Sequence, residues 1–205
     1  MGLRLFAVAM LDGLHGESPA AGTRLVPVRE VAAVVEEAAF QLPIPDEALA
    51  SRHHEVVSAV FTHSAGLLPA PAGTVFRDQR ALEQWLELHY VAIHDALAFV
   101  EDRVEGRVHV RRTEGAPDER DMGAEVAATA AECFRVFRRQ AVVSVPLRSE
   151  HATGIAVSSA YLVERSLWKE FASLVEEERD RHAGVRVSVT GPWPPYDFVR
   201  INFGG

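Results

Sequence analysis

Asp78 to Arg112 reads DQRALEQWLELHYVAIHDALAFVEDRVEGRVHVRR, and the change of period inside it decides the fold. Leu82, Trp85, Leu86, Tyr90, Ile93, Leu97 and Val100 recur every three or four residues, which places them on one stripe of a helix from Asp78 to about Val100. From Glu105 to Arg112 the period drops to two: Val108 and Val110 alternate with Arg107, His109 and Arg111, as in a half-buried strand. The same succession returns later. Glu164–His182 reads as a helix with Leu167, Trp168, Phe171, Leu174 and Val175 inward and Gly184 in the C-cap position. Val185, Val187 and Val189 then alternate with Arg186 and Ser188. An amphipathic helix followed by a one-sided strand, twice over, predicts an α+β chain of two sandwich domains. Each is a mixed or antiparallel sheet with helices on one face.

The remaining segments fit around these two units. Leu3–Met10 is a nearly continuous apolar run ending at Asp12-Gly13, a buried strand. Leu14–Gly22 is a loop. Arg24–Val35 reads as a second strand, with a helix from Arg29 as the alternative. Asp46 caps a helix reaching about His63. Gly66–Phe76 is extended but carries Pro69 and Pro71, so an edge or a bend is expected. Met122–Arg139 is a helix whose acids come early and bases late, in the order that suits its dipole. Ala141–Leu147, Ile155–Val163 and Phe198–Phe203 read as strands. The polar stretch Thr113–Asp121 (TEGAPDERD) is the natural boundary, giving domains at 1–113 and 114–205.

Composition narrows the function classes. The 205 residues are 48% hydrophobic and 24% charged, ordinary for a globular chain. A net charge of -8 and a pI near 5.6 argue against a phosphate backbone as partner, so no nucleic acid is expected. The apolar run after Arg4 is too short for a membrane span and lacks a signal-peptide layout. The expectation is a cytoplasmic protein with no membrane partner. The single cysteine, Cys133, lies between apolar neighbours and reads as a small buried hydrophobe, with a reactive thiol as the alternative.

No catalytic constellation emerges. His53-His54-Glu55 lacks the i, i+4 histidine spacing of a helical zinc motif. His89 and His94 are five apart and point to different faces, while His63, His109, His151 and His182 stand singly. G-x-S-x-G, G-x-G-x-x-G and the phosphate-binding loop are absent, and Lys169 is the only lysine. The acid clusters Glu36-Glu37 and Glu176-Glu177-Glu178 read as solvated faces. The sequence therefore assigns no catalytic, cofactor-binding or metal-binding residue.

The most unusual string is Thr190–Val199, TGPWPPYDFV. Its three prolines fix φ and remove donors, and each residue before a proline is driven to extended geometry. Gly191 lets the chain turn, so Trp193 and Tyr196 are held on a stiff corner. That corner either closes the fold or presents aromatic side chains to a partner. With the preceding Gly184–Val189 it resembles the C-terminal signature G-x-x-x-x-x-TGPWPPYSF of the gas vesicle F/L protein family, Asp197 standing where serine is usual. Ser159–Val163 (SAYLV) ahead of the Trp168 helix is similar to the family's AYLV strand and helix. Leu68–Phe76 (LPAPAGTVF) is similar to its PLRFGTVF, with Pro71 and Ala72 in place of the basic and aromatic residues.

This resemblance spans roughly residues 50–203. It implies a ferredoxin-like N-terminal domain, an α+β C-terminal domain and no catalytic residues or cofactor. It further implies an accessory or minor structural role, associated with the gas vesicle and binding the main shell protein and other accessory proteins during assembly. Gly191, Pro192, Trp193, Pro194, Pro195, Tyr196 and Phe198 are its partner-binding or fold-closing motif. An α+β enzyme or sensor for a small molecule is the competing expectation.

Overall fold

Leu3–Met10 is apolar almost throughout because both faces of its strand are covered. The computed structural model describes residues 1–14, 20–41, 46–112, 119–147, 156–182 and 184–199, with 112, 119–125 and 156 described by backbone alone. The chain forms two compact units, one comprising Met1–Asp102 and the segment from Pro194, the other Arg103–Trp193.

In the first unit β1 (Gly2–Met10) lies between β3 (Val31–Ala38) and β4 (Leu67–Pro69), with β2 (Arg24–Val28) outside β3 and β5 (Val75–Phe76) also pairing β1. All pairings are antiparallel. On one face α2 (Gln79–Leu88) and α3 (Tyr90–Val100) bring Leu82, Leu86, Ile93 and Leu97 against Leu3, Leu5 and Val8. On the other lies α1 (Glu47–His63), whose His53 ring is 5.8 Å from Phe6 and whose Arg52 bonds Glu36 of β3. The α+β class stands as expected. The refinement is that this sheet carries helices on both faces rather than one.

The second unit runs β6 (Arg103–Arg112), α4 (Glu119–Phe137), β7 (Val143–Leu147), β8 (Ala156–Glu164), α5 (Trp168–Arg181), β9 (Val185–Trp193). Its sheet is antiparallel in the order β7-β8-β6-β9. Phe134 and Phe137 of α4 and Phe171 and Val175 of α5 close one face over Val108, Val110, Tyr161 and Val187. When the four principal strands of each unit are numbered in chain order, both sheets run 2-3-1-4. This is the order of the ferredoxin-like β-α-β-β-α-β arrangement. The second unit holds that arrangement in full. In the first, the described part of the first crossover is a 3-10 turn, Asp12–Leu14, instead of a helix.

Two sequence expectations change. Arg24–Val35 is a hairpin, with Val28 facing Val31 across a two-residue loop, Arg29-Glu30. Arg29 takes φ 54, the positive φ that such tight loops require and that glycine usually supplies. Without a Gly or Asn the turn has no sequence signal. The long helix is divided at His89 (φ -102, ψ 9), although Ile93 N–H still reaches the His89 carbonyl at 2.9 Å. The apolar stripe continues because only one residue leaves the helix. The compact units part between Asp102 and Arg103, and β6 pairs with β8 and β9 in the second of them. The expected strand Phe198–Phe203 falls outside the described residues from 200 onward, and Phe198 lies in a turn. Of the boundary stretch Thr113–Asp121, residues 113–118 lie outside the described residues, and α4 is already helical at Glu119.

The bend expected at Pro69 and Pro71 is present. Ala70 N–H bonds the Phe6 carbonyl, Thr74 N–H and hydroxyl both donate to the Pro71 carbonyl, and Leu5 N–H bonds Thr74. β4 and β5 are thus one edge segment interrupted by a turn, where the prolines need no ladder donor.

Candidate functional site

β9 does not stop at Val189 but continues through Trp193. It is an edge strand, where a proline is tolerated. Arg107 faces Thr190 and Glu105 faces Trp193, so Gly191 and Pro192 together oppose Gly106 and form a bulge. The Gly191-Pro192 peptide is cis, and Gly191 has φ 135. Trp193 is half-buried, and its indole N–H donates to Thr190 Oγ1 at 3.2 Å. Pro194 and Pro195 are buried, and the Tyr196 N–H closes on the Pro194 carbonyl at 2.8 Å. Phe198 N–H reaches the Pro195 carbonyl, and Val199 packs on the core of the first unit. The motif residues therefore divide, with Gly191, Pro192 and Trp193 ending one unit and Pro194, Pro195, Tyr196 and Phe198 belonging to the other. Trp193, Tyr196 and Phe198 are each half-buried rather than displayed.

Gly191 has a second duty. A Cβ there would lie 2.7 Å from the Glu105 carbonyl oxygen and 2.9 Å from the Trp168 indole. At Gly106 a Cβ would lie 2.7 Å from the same indole. Two glycines on neighbouring strands thus form the floor on which Trp168 lies, its ring stacked at 29° and 6.0 Å from Phe171. Close approach of ring to backbone is what glycine permits. Beside this floor Glu105 is fully buried, with Arg107 Nε donating to its carboxylate at 2.7 Å.

Most of the described histidines stand apart from one another, and His151 lies outside the described residues. His89 meets the Trp85 ring and His94 the Tyr90 ring. His53 is buried, and its Nδ1 has no hydrogen-bond partner among the described residues. Burial holds its pKa below the usual histidine value. His109 bonds Ser158 Oγ at 2.8 Å, and its pKa is likewise lowered by burial and then by Arg111 and Arg107. His182 departs from the sequence reading. It stands at the end of α5 with Glu178, and both face Cys133 of α4, the three donor atoms lying within 4.8 Å of one another. Glu178 is 3% exposed, so the solvated face read at Glu176-Glu177-Glu178 does not extend to it. Its carboxylate is bonded by Arg181 and lies 3.5 Å from His182 Nε2. Cys133 is fully buried, as expected, and burial together with Glu178 pushes its thiol up to about 11. The i, i+4 spacing of Glu178 and His182 was visible in the sequence; the approach of Cys133 was not.

An open cleft of about 480 Å³ lies beside the end of β1, lined by Met10, Leu11, Asp12, Arg29 and Glu30. Its polar groups are engaged with neighbours. Asp12 accepts from Gly13 N–H, Arg29 pairs Glu87 at 2.8 Å and lies over the Tyr90 ring, and Glu30 accepts from Tyr90. Among the described residues, no nucleophile with a base lines it.

The gas vesicle synthesis protein GvpL/GvpF family matches residues 5–132 and 111–200. The chain is 29% identical over 198 residues to gas vesicle protein F2 of Halobacterium salinarum, covering 95% of this chain and 86% of that one. It is 28% identical to gas vesicle protein L of a Streptomyces species, covering 74% of this chain and 69% of the relative. In fold it is similar to the crystal structure of GvpF from Microcystis aeruginosa, with a TM-score of 0.75 at 15% identity over 98% of this chain and 99% of that one. GvpF from Anabaena gives the same TM-score at 14% identity, again over 98% of this chain and 99% of that one. These relatives carry gas vesicle names and not enzyme names. With both units matched and the proline-rich corner in place, the chain belongs to the gas vesicle synthesis protein GvpL/GvpF family.

Proposed function

We propose that this protein is a non-enzymatic accessory or minor structural component of gas vesicles, binding the main shell protein and other accessory proteins during assembly. The observation that carries the reading is the family match across both units. The cleft, whose polar groups are engaged with neighbours, supports a binding role over a catalytic one. Leu88 and Val91 flank the α2–α3 break at 79% and 70% exposure and offer apolar contacts to a hydrophobic shell protein. Among the described residues no helix is long and apolar enough to cross a membrane, and we place the protein in the cytoplasm on or near the vesicle. The proline-rich corner serves first to close the fold, with Trp193 and Tyr196 as secondary contact candidates. Deleting the gene in a vesicle-forming host tests the reading. Loss or malformation of vesicles, restored by the intact gene, supports it; normal vesicles in a clean deletion overturn it.

A further inference from the structure

Helix α5 turns one residue inward that a helix of this kind keeps in water. Glu178 is 3% exposed, on the side facing α4. A buried carboxylate needs a positive partner, and Arg181 satisfies one oxygen. The other oxygen lies 3.5 Å from His182 Nε2. That is long for a charge-assisted hydrogen bond, which closes to about 2.8 Å. It matches the separation of two ligands on one tetrahedral cation, about 3.4 Å when each bond is about 2.1 Å. The Cys133 sulfur is the third atom of the triangle, all within 4.8 Å.

We propose that Cys133, Glu178 and His182 form a binding site for one zinc-class divalent cation, clamping α4 to α5 beneath the second sheet. A thiolate, an imidazole and a carboxylate are a donor set for zinc or cobalt, not for magnesium or calcium. Thiolate and carboxylate together balance the dication, and the one remaining positive charge, on Arg181, is 62% exposed to solvent. As the sulfur–metal bond forms, the thiol proton leaves to solvent. Bringing the sulfur to ligand distance requires a movement of about 1 Å, within reach of a cysteine rotamer. Arg181 on the far carboxylate oxygen orients the ligand as an outer-shell partner. A water completes the tetrahedron.

The test loads the purified full chain with cobalt(II) or zinc(II), followed by desalting and elemental analysis. One retained metal per chain is expected, with a thiolate-to-cobalt charge-transfer band and a raised Tm. Cys133→Ser abolishes the band. His182→Gln, at the half-buried end of the helix, weakens retention if the serine variant folds poorly. Arg181→Gln keeps all three donors and lowers affinity about tenfold. No retained metal and no thiolate band in the wild type overturns the proposal, as does a band unchanged in both ligand variants.

Discussion

A side-chain carbon at Gly191 would stand 2.9 Å from the Trp168 indole, so the ring at the start of α5 rests where the edge strand has no side chain. Gly191→Ala is expected to destabilise the protein by roughly 2–5 kcal/mol, combining backbone strain at its positive φ with overpacking. Gly106→Ala meets the same ring without the positive φ and is expected to cost less, roughly 1–3 kcal/mol. Urea unfolding of the two variants checks the order. Equal, small losses would show that Trp168 moves aside freely.

His53 should make stability depend on pH. Its folded pKa lies below the ordinary histidine value of about 6.5, chiefly through burial, with His54 and Arg4 acting the same way and a hydrogen bond to the Ala70 backbone opposing them. The unfolded chain therefore takes up a proton first as pH falls. The neutral-state contribution is whole above about pH 6.5 and is lost as pH falls from there toward the lowered folded value. His53→Gln is expected to flatten the stability–pH profile below pH 6.5. His109, shifted in the same direction, leaves a residual slope. Identical slopes for wild type and variant would contradict the assignment.

Asp46 caps α1 by accepting the Leu49 N–H at 2.7 Å. Asp46→Ala should lower stability by about 1 kcal/mol, and Asp46→Asn by less, since asparagine also caps. Thermal unfolding of both variants separates the cap from a charge effect; equal losses would assign the role to charge alone.

The order in which the fold could be read follows from the range of each signal. Asp46 and the stripe from Leu82 to Val100 are local, and they located α1 and the α2–α3 pair from sequence alone. The alternation of Val108 and Val110 located β6 for the same reason. The remaining features depend on tertiary context. Arg29 adopts a glycine-like φ while its guanidinium is held by Glu87 and Tyr90, and no turn dipeptide announces this. β9 runs through Pro192 because it is an edge, and edge position is a property of the whole sheet. The proline-rich corner identified the family, yet its residues part between two units instead of converging. Glu178 looked solvated because its neighbours in sequence are acidic, while its neighbours in space are Cys133 and His182.

Leu88 and Val91 can be tested without touching the core. Leu88→Ser with Val91→Ser should leave Tm within a few degrees of wild type, since both side chains are exposed. If this edge meets the shell protein, the double variant captures severalfold less of it than wild type does. Unchanged capture would move the contact elsewhere on the surface.

The central claim, that this chain engages the gas vesicle shell protein, is tested most directly by affinity capture of the tagged full-length chain from cells co-producing that shell protein. The expected result is recovery of shell protein well above a tag-only control, together with other accessory proteins when they are present. Recovery no greater than the control, from cells in which both proteins are soluble and abundant, would contradict it.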